Sequence, residues 1–225
     1  MPDNVIDNMS IDCVVFGFST ELKVLLVKHA DGLSKGRWAL PGGWITEDES
    51  LDEAASRILF LLTGVRNLYL DQLKAYGAVN RFPTKRVLTV AYYSLIKDTD
   101  YQLLPGFTAS DAKWFTPEEI KDLPYDHNQI LQDAFHRLQS RVKQEPVGFN
   151  LLPEKFTLGQ LQTLYESILQ IQLDKPNFRR KMLKMNFLID CNEKQEDVSH
   201  RAAKLYKFDK PTYEQLRERK FVLDL

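Results

Sequence analysis

Cysteine is nearly absent. The 225 residues hold 2, Cys13 in an apolar run and Cys191 in a polar one, far apart and without metal-type neighbours. That excludes a zinc or redox motif and leaves two reduced thiols as the expectation. No stretch approaches the roughly 18 uninterrupted apolar residues of a membrane span. The opening MPDNVIDN is polar and acidic, without the basic and apolar regions of a secretion signal. A cytoplasmic protein with no membrane partner is expected. Net charge is also missing, at -1 from 30 basic and 31 acidic side chains, but the balance is uneven along the chain. Residues 1–150 carry 16 basic and 20 acidic side chains, whereas 151–225 carry 14 and 11. The sign reverses in the sense that a polyanion-binding C-terminal module requires. What remains is an ordinary globular composition, 44% hydrophobic and 27% charged, long enough for one large domain or two modest ones.

The other informative absence is of carboxylates at three positions. The stretch GWITEDESLDEAASRILFLLTGV, residues 43–65, resembles a Nudix box: Gly43, Glu49, Arg57, Leu59, Gly64 and Val65 fall on register. Ile58, Leu61 and Leu62 stand where the remaining glutamates belong. Mg2+ is a hard cation that takes oxygen ligands, so three aliphatic side chains cannot hold it to activate water on a diphosphate. A pocket that binds without hydrolysing is expected, with no metal and no cofactor. The competing enzymatic reading needs relocated carboxylates such as Glu47, Glu49, Asp52 and Glu53.

Around the box, IDCVVFGF (11–18) and LKVLLVKH (22–29) read as a hairpin, and a short strand is expected near 38–40. Pro41-Gly42-Gly43 reads as a turn close to the pocket. Ser50 with Glu53 makes a capping box that starts a helix ending at Gly64. Strands are expected over 68–80, 86–97 and 112–115, with a basic loop at 81–85, a helix start at Thr116-Pro117-Glu118-Glu119, and an amphipathic helix over 126–143. This order suits an α/β/α sandwich.

Pro146 and Gly148 mark a boundary, giving domains 1–148 and 149–225. Beyond it, Thr157 and Gln160 open a second capped helix. Asp174 or Asn177 can cap the next one, DKPNFRRKMLKMN, with Phe178, Met182, Leu183 and Met185 facing inward. Lys175, Arg179, Arg180, Lys181 and Lys184 then place five positive charges in ten residues without an acid. Two strand-like runs, 187–190 and 201–208, flank a polar turn. Helix, tight turn, basic helix and hairpin is the order of a winged helix-turn-helix. Asn177, Arg179 and Arg180 sit where a recognition helix reaches deepest, while Lys175, Lys181, Lys184, His200, Arg201 and Lys204 suit phosphates. A solvated helix face, or one that binds RNA or an acidic protein, is the competing reading.

The degenerate box followed by LLPEKFTLGQLQTLYESIL, DKPNFRRKML and HRAAKLYKFD resembles the Nudix-related transcriptional regulators over nearly the whole chain. The resemblance implies an α+β protein: a Nudix-like effector-sensing sandwich, then a winged helix-turn-helix that binds double-stranded operator DNA as a homodimer. It also implies a small-molecule effector, ADP-ribose in one branch and L-arabinose in a branch from gut Bacteroidetes. A diphosphate calls for cations, which Lys35, Arg37, Arg81, Lys85 and Arg86 can supply. A pentose calls for a flat apolar wall and convergent polar groups. Trp38, Trp44, Tyr92 and Trp114 with Glu49, Asp126 and His127, beside Gly42 and Gly43, can supply those. The resemblance to the arabinose-responsive branch favours the sugar. Each residue has a structural alternative: Trp38 and Trp44 as core aromatics, Arg57 paired with Glu53 one turn earlier, Asp126 as an N-cap.

Overall fold

The structure is a computed structural model describing residues 5–196 and 202–218, with side chains considered over 6–196 and 202–216. Its described residues divide into two compact units, one of 5–18 and 22–137, the other of 19–21, 138–196 and 202–218.

The first unit is built on a mixed sheet. Strands β1 (Val5–Phe18) and β2 (Leu22–His29) form the expected hairpin, with Phe16 opposite Val24. β1 also runs parallel to β6 (Leu88–Ile96) and antiparallel to β4 (Gly42–Thr46). β3 (Trp38–Ala39) and β7 (Ala109–Phe115) pair with β2, and β5 (Asp71–Tyr76) pairs with β6. Side chains alternate across a strand. Ile11, Cys13 and Val15 of β1 therefore pack on one face, against Ala54, Ala55, Ile58 and Leu59 of helix α1 (Leu51–Thr63). Phe16 points to the other face and meets Phe135 of helix α2 (His127–Gln144) edge-on, with ring centroids 4.9 Å apart. The result is the sandwich of two helices about one sheet.

Helix α1 follows its sequence signals. Ser50 Oγ accepts from Glu53 N, Glu53 reaches back to Ser50 N, and Gly64 closes the helix in the left-handed region at φ 75°. Three expectations are corrected. Gly42 and Gly43 are no turn but the start of β4, paired with Asp12 and Ile11. A Cβ on Gly42 would strike the Asp12 carboxylate and the Ile11 carbonyl, so glycine is there for a close approach of strands. The expected strand over 68–80 shortens to Asp71–Tyr76, and 116–119 is only a 3-10 turn, Pro117–Glu119.

In the second unit, helix α3 (Leu158–Leu169) starts from the Thr157–Gln160 capping box. Helix α4 (Lys175–Lys184) is capped by Asp174, whose carboxylate accepts from Asn177 N at 3.0 Å. Strands β8 (Phe156–Thr157), β9 (Leu188–Lys194) and β10 (Lys204–Phe208) form a small antiparallel sheet with β10 central, followed by helix α5 (Lys210–Glu218). Phe149, Phe156, Phe187, Phe208 and Tyr213 make its aromatic core, with Phe149 stacked on Phe208 at 4.4 Å. Leu183, expected inside, is 45% exposed, because Phe178 and Met182 already fill the inward face of α4.

Tyr165 in α3 is fully buried, and among the described residues its hydroxyl has no hydrogen-bond partner. Such a group bears desolvation without return. Tyr165→Phe is therefore expected to leave the chain as stable or up to about 1 kcal/mol more stable in chemical denaturation. A loss of that size instead would reveal a hidden partner.

Candidate functional site

A cavity of about 360 Å3 opens in the first unit. Ser10 and Asp12 of β1 and Gly42, Gly43 and Trp44 of β4 form one wall, and Arg57, Ile58, Leu61 and Leu62 of α1 form another. The aliphatic trio at the glutamate positions therefore does more than pack. Ile58 and Leu62 are buried yet line the cavity, and Ile58 sits so close that a Cβ on Gly43 would lie 3.3 Å from it. The wall that in an acidic box presents metal ligands is apolar here.

Arg57 is fixed by Glu49 and not by Glu53 as expected. Its Nε donates to Glu49 Oε2 at 2.7 Å and its Nη2 to Oε1 at 2.5 Å, with a further bond to the Trp44 carbonyl. Hydrogen bonds from Arg57 hold the Glu49 carboxyl down at about 2. Glu53 is spent on the helix cap, and Asp52 accepts from the Tyr92 hydroxyl at 2.5 Å. Glu49, Asp52 and Glu53 are thus each committed to a side chain of the fold. Among the described residues no group of three or more His, Cys, Asp or Glu is placed to hold a metal. The donor set does not fit Mg2+.

The polar side of the cavity is an ion network. Arg81 holds Asp126 in a bidentate pair, at 2.9 and 2.7 Å, and reaches Asp12 Oδ2 at 3.1 Å. Asp12 Oδ1 lies 3.4 Å from His127 Nε2, and His127 Nδ1 accepts from Leu40 N at 3.1 Å. An amide N–H can only donate, so the ring proton sits on Nε2, facing Asp12. Burial acts to raise the Asp12 carboxyl, but His127 and Arg81 outweigh it and hold it below its ordinary value. Burial lowers His29, on the same cavity. Beside the network stands an aromatic run: Trp44 meets Phe82 at 6.1 Å, Phe82 meets Tyr125 at 4.9 Å, and Tyr125 meets His127 at 5.5 Å.

In the second unit, α4 presents its charges at the surface. Lys175, Asn177, Arg180 and Lys184 are exposed, while Arg179 and Lys181 are half-buried. Arg180 Nη2 donates to Asn177 Oδ1 at 2.7 Å, which pre-sets both at the N-terminal turn. Lys204, expected at phosphates, is paired with Asp190 at 2.8 Å, and an exposed pair of this kind is weak. His200 and Arg201 lie outside the described residues.

A NUDIX domain model matches residues 8–138, and a model of the NrtR DNA-binding winged helix domain matches 148–208. Over 211 residues, 92% of this chain and 84% of the relative, the sequence is 33% identical to the ADPR responsive transcriptional repressor NtrR of Acinetobacter baylyi. The chain belongs to the NrtR family of DNA-binding transcriptional regulators. Among solved structures it resembles Shewanella oneidensis NrtR complexed with a 27mer DNA, with a TM-score of 0.74 and 32% identity over 92% of this chain and 96% of that one. It also resembles the NUDIX domain of the same protein complexed with ADP ribose, with a TM-score of 0.55 and 34% identity over 59% of this chain and 89% of that one.

Within this NrtR-family chain, Gly42, Gly43, Trp44, Arg81 and His127 of the expected effector residues meet in the cavity. Arg37 and Asp126 line a shallower groove next to it, which shares Arg81. The others lie elsewhere. Trp38 packs edge-on against Phe115 at 4.8 Å, Trp114 lies over Gly17, Tyr92 is 1% exposed beneath α1, Arg86 is at the surface, and Glu49 reaches the cavity only through Arg57. Of the other candidate cations, Lys35 is exposed, and Lys85 lies over the Trp44 ring at 4.3 Å. The sequence missed Asp12, His29, Phe82, Phe107 and Tyr125.

Proposed function

We propose that this chain is an effector-responsive repressor. Its winged helix holds operator DNA as a homodimer in the cytoplasm, and ADP-ribose bound without hydrolysis in the Nudix cavity alters that hold. The single observation carrying the effector is the cavity itself. Its 360 Å3 lies in the range, about 300–1,000 Å3, that encloses a drug-sized ligand, and it joins an aromatic run to arginine-bearing walls. Phe82 and Tyr125 suit a base. The Acinetobacter relative and the ADP-ribose complex of the Shewanella domain support the same ligand. Control works through differential affinity: ADP-ribose must favour a state that holds DNA less well.

A second reading keeps one observation on its side. Both arginines on the cavity wall already carry carboxylate partners, Glu49 for Arg57 and Asp12 with Asp126 for Arg81, so a neutral polyhydroxy ligand such as L-arabinose enters without competing for them. A thermal-shift panel separates the two. At about a hundredfold excess over Kd a ligand adds roughly 2.7 kcal/mol of stability. ADP-ribose is expected to raise Tm and to release labelled operator, with L-arabinose doing neither. The opposite result would install the sugar as effector, and turnover of ADP-ribose with Mg2+ or Mn2+ would make the chain an enzyme.

A further inference from the structure

Seven described residues other than glycine have positive φ, and five of them are asparagine or glutamine, types for which such a backbone is unremarkable or common at helix ends. The other two are bulky aromatics, Phe107 at φ 54° and Tyr125 at φ 59°, and both line the effector cavity. For an aromatic side chain this conformation is strained, and it persists only where the surroundings over-determine it. They do so here. Leu104 N donates to the Thr63 carbonyl at 2.8 Å, Ala109 N to Gly106 at 2.9 Å and Ala30 N to Thr108 at 2.8 Å, so the loop carrying Phe107 is pinned on both sides. Tyr125 is held through its hydroxyl, which accepts from Ser34 Oγ at 2.9 Å.

Phe107 gains little from folding in return, since it is 64% exposed, and its cavity neighbour Leu33 is 62% exposed. Glycine would fit this backbone without strain and would leave no large apolar group in water. A residue that is unfavourable locally yet held rigidly at a cavity mouth points to a ligand contact.

We infer that Phe107 and Tyr125 are pre-set clamp residues, each offering the cavity an aromatic ring for the flat face of a heteroaromatic base, and that Phe107 is thereby a specificity-determining residue of the effector site. The clamp rests on the proposed effector reading and deepens it: the ligand class is a nucleotide carrying a planar base, and a base-free sugar phosphate forgoes the contact. Stacking on an aromatic side chain tolerates any base, so Phe107 selects for the presence of a base and not for its identity.

The test compares the parent chain with Phe107→Gly and Phe107→Tyr by calorimetric titration with ADP-ribose, AMP and ribose 5-phosphate, with ligand-free Tm measured for each. Phe107→Gly is expected to bind ADP-ribose and AMP roughly tenfold more weakly, the effect of one lost base–aromatic contact, with ribose 5-phosphate unchanged. Its ligand-free Tm should equal or exceed the parent's, and Phe107→Tyr should bind as the parent does. Equal weakening of all three ligands, no weakening at all, or failure of both adenine compounds to bind the parent would overturn the clamp. Phe107-dependent binding of AMP together with ADP-ribose that never releases operator would support the clamp and remove ADP-ribose as effector.

Discussion

An Arg81→Met chain is expected to unfold with a loss of about 3 kcal/mol, roughly 10 °C in Tm for a unit of this size. The Arg81 side chain is 4% exposed and serves two carboxylates, Asp12 at 8% and Asp126 at 21%. Methionine fills comparable volume, so the loss comes chiefly from stranding Asp12 in the interior beside His127, with Asp126 able to turn to water. Removing one partner of a buried pair costs more than the pair contributes. Asp12→Asn on top of Arg81→Met should therefore recover a substantial part of the loss, because the amide carries no charge to strand. The pH dependence follows from the depressed Asp12 carboxyl. A group whose folded value lies below its unfolded one contributes fully above the unfolded value, about 3.9 for aspartate, and loses that contribution as pH falls further. The gap between parent and Arg81→Met should thus be full near neutrality and narrow on acidification. A denaturation series showing under about 1 kcal/mol at pH 7, or a gap that widens toward acid, would mean that the network is solvated and contributes little.

This network is also where the sequence was least legible. Arg81 stands 69 residues from Asp12 and 45 from Asp126, and no local pattern joins them. The basic loop at 81–85 offers Arg81 as a cation for a diphosphate, whereas Arg81 is buried and already paired with two carboxylates that local sequence does not nominate. Arg57 failed for a related reason: helical spacing nominated Glu53, but the capping box had already claimed that carboxylate, and the longer reach back to Glu49 won. Features set by local chemistry were legible. The Ser50 and Thr157 caps, the Gly64 terminus, the β1–β2 hairpin and the basic α4 are all fixed by residues within a few positions of one another. Trp38 and Trp114 are spent on sheet packing, an alternative already open for Trp38, while Trp44 lines the cavity with Phe82, Phe107 and Tyr125, whose placement depends on loop backbone that composition does not reveal.

Arg179→Ala is expected to weaken operator binding by roughly 10- to 100-fold, the 1–3 kcal/mol of a lost arginine contact to DNA, without weakening the fold or the response to effector. Arg179 is half-buried near the start of α4, and among the described residues its buried Nε–H has no partner. A donor left in that state is a standing cost to stability, so alanine removes a penalty along with the side chain. A residue kept for packing would behave oppositely, with stability falling when it is truncated. Lys184→Ala supplies the contrast. Lys184 is exposed at the far end of the same helix, and is proposed as a phosphate contact that reads no base. Its loss should weaken operator and random duplex alike and reduce the slope of log K against log salt by about one. Fluorescence anisotropy with operator and random duplex across a salt series measures both variants, and calorimetry with ADP-ribose reads the effector side. If Arg179→Ala lost operator and random duplex equally, the arginine would belong with the phosphate contacts. If it lost effector binding as well, the division of labour between the Nudix cavity and the winged helix would be wrong, because nothing in α4 lines that cavity.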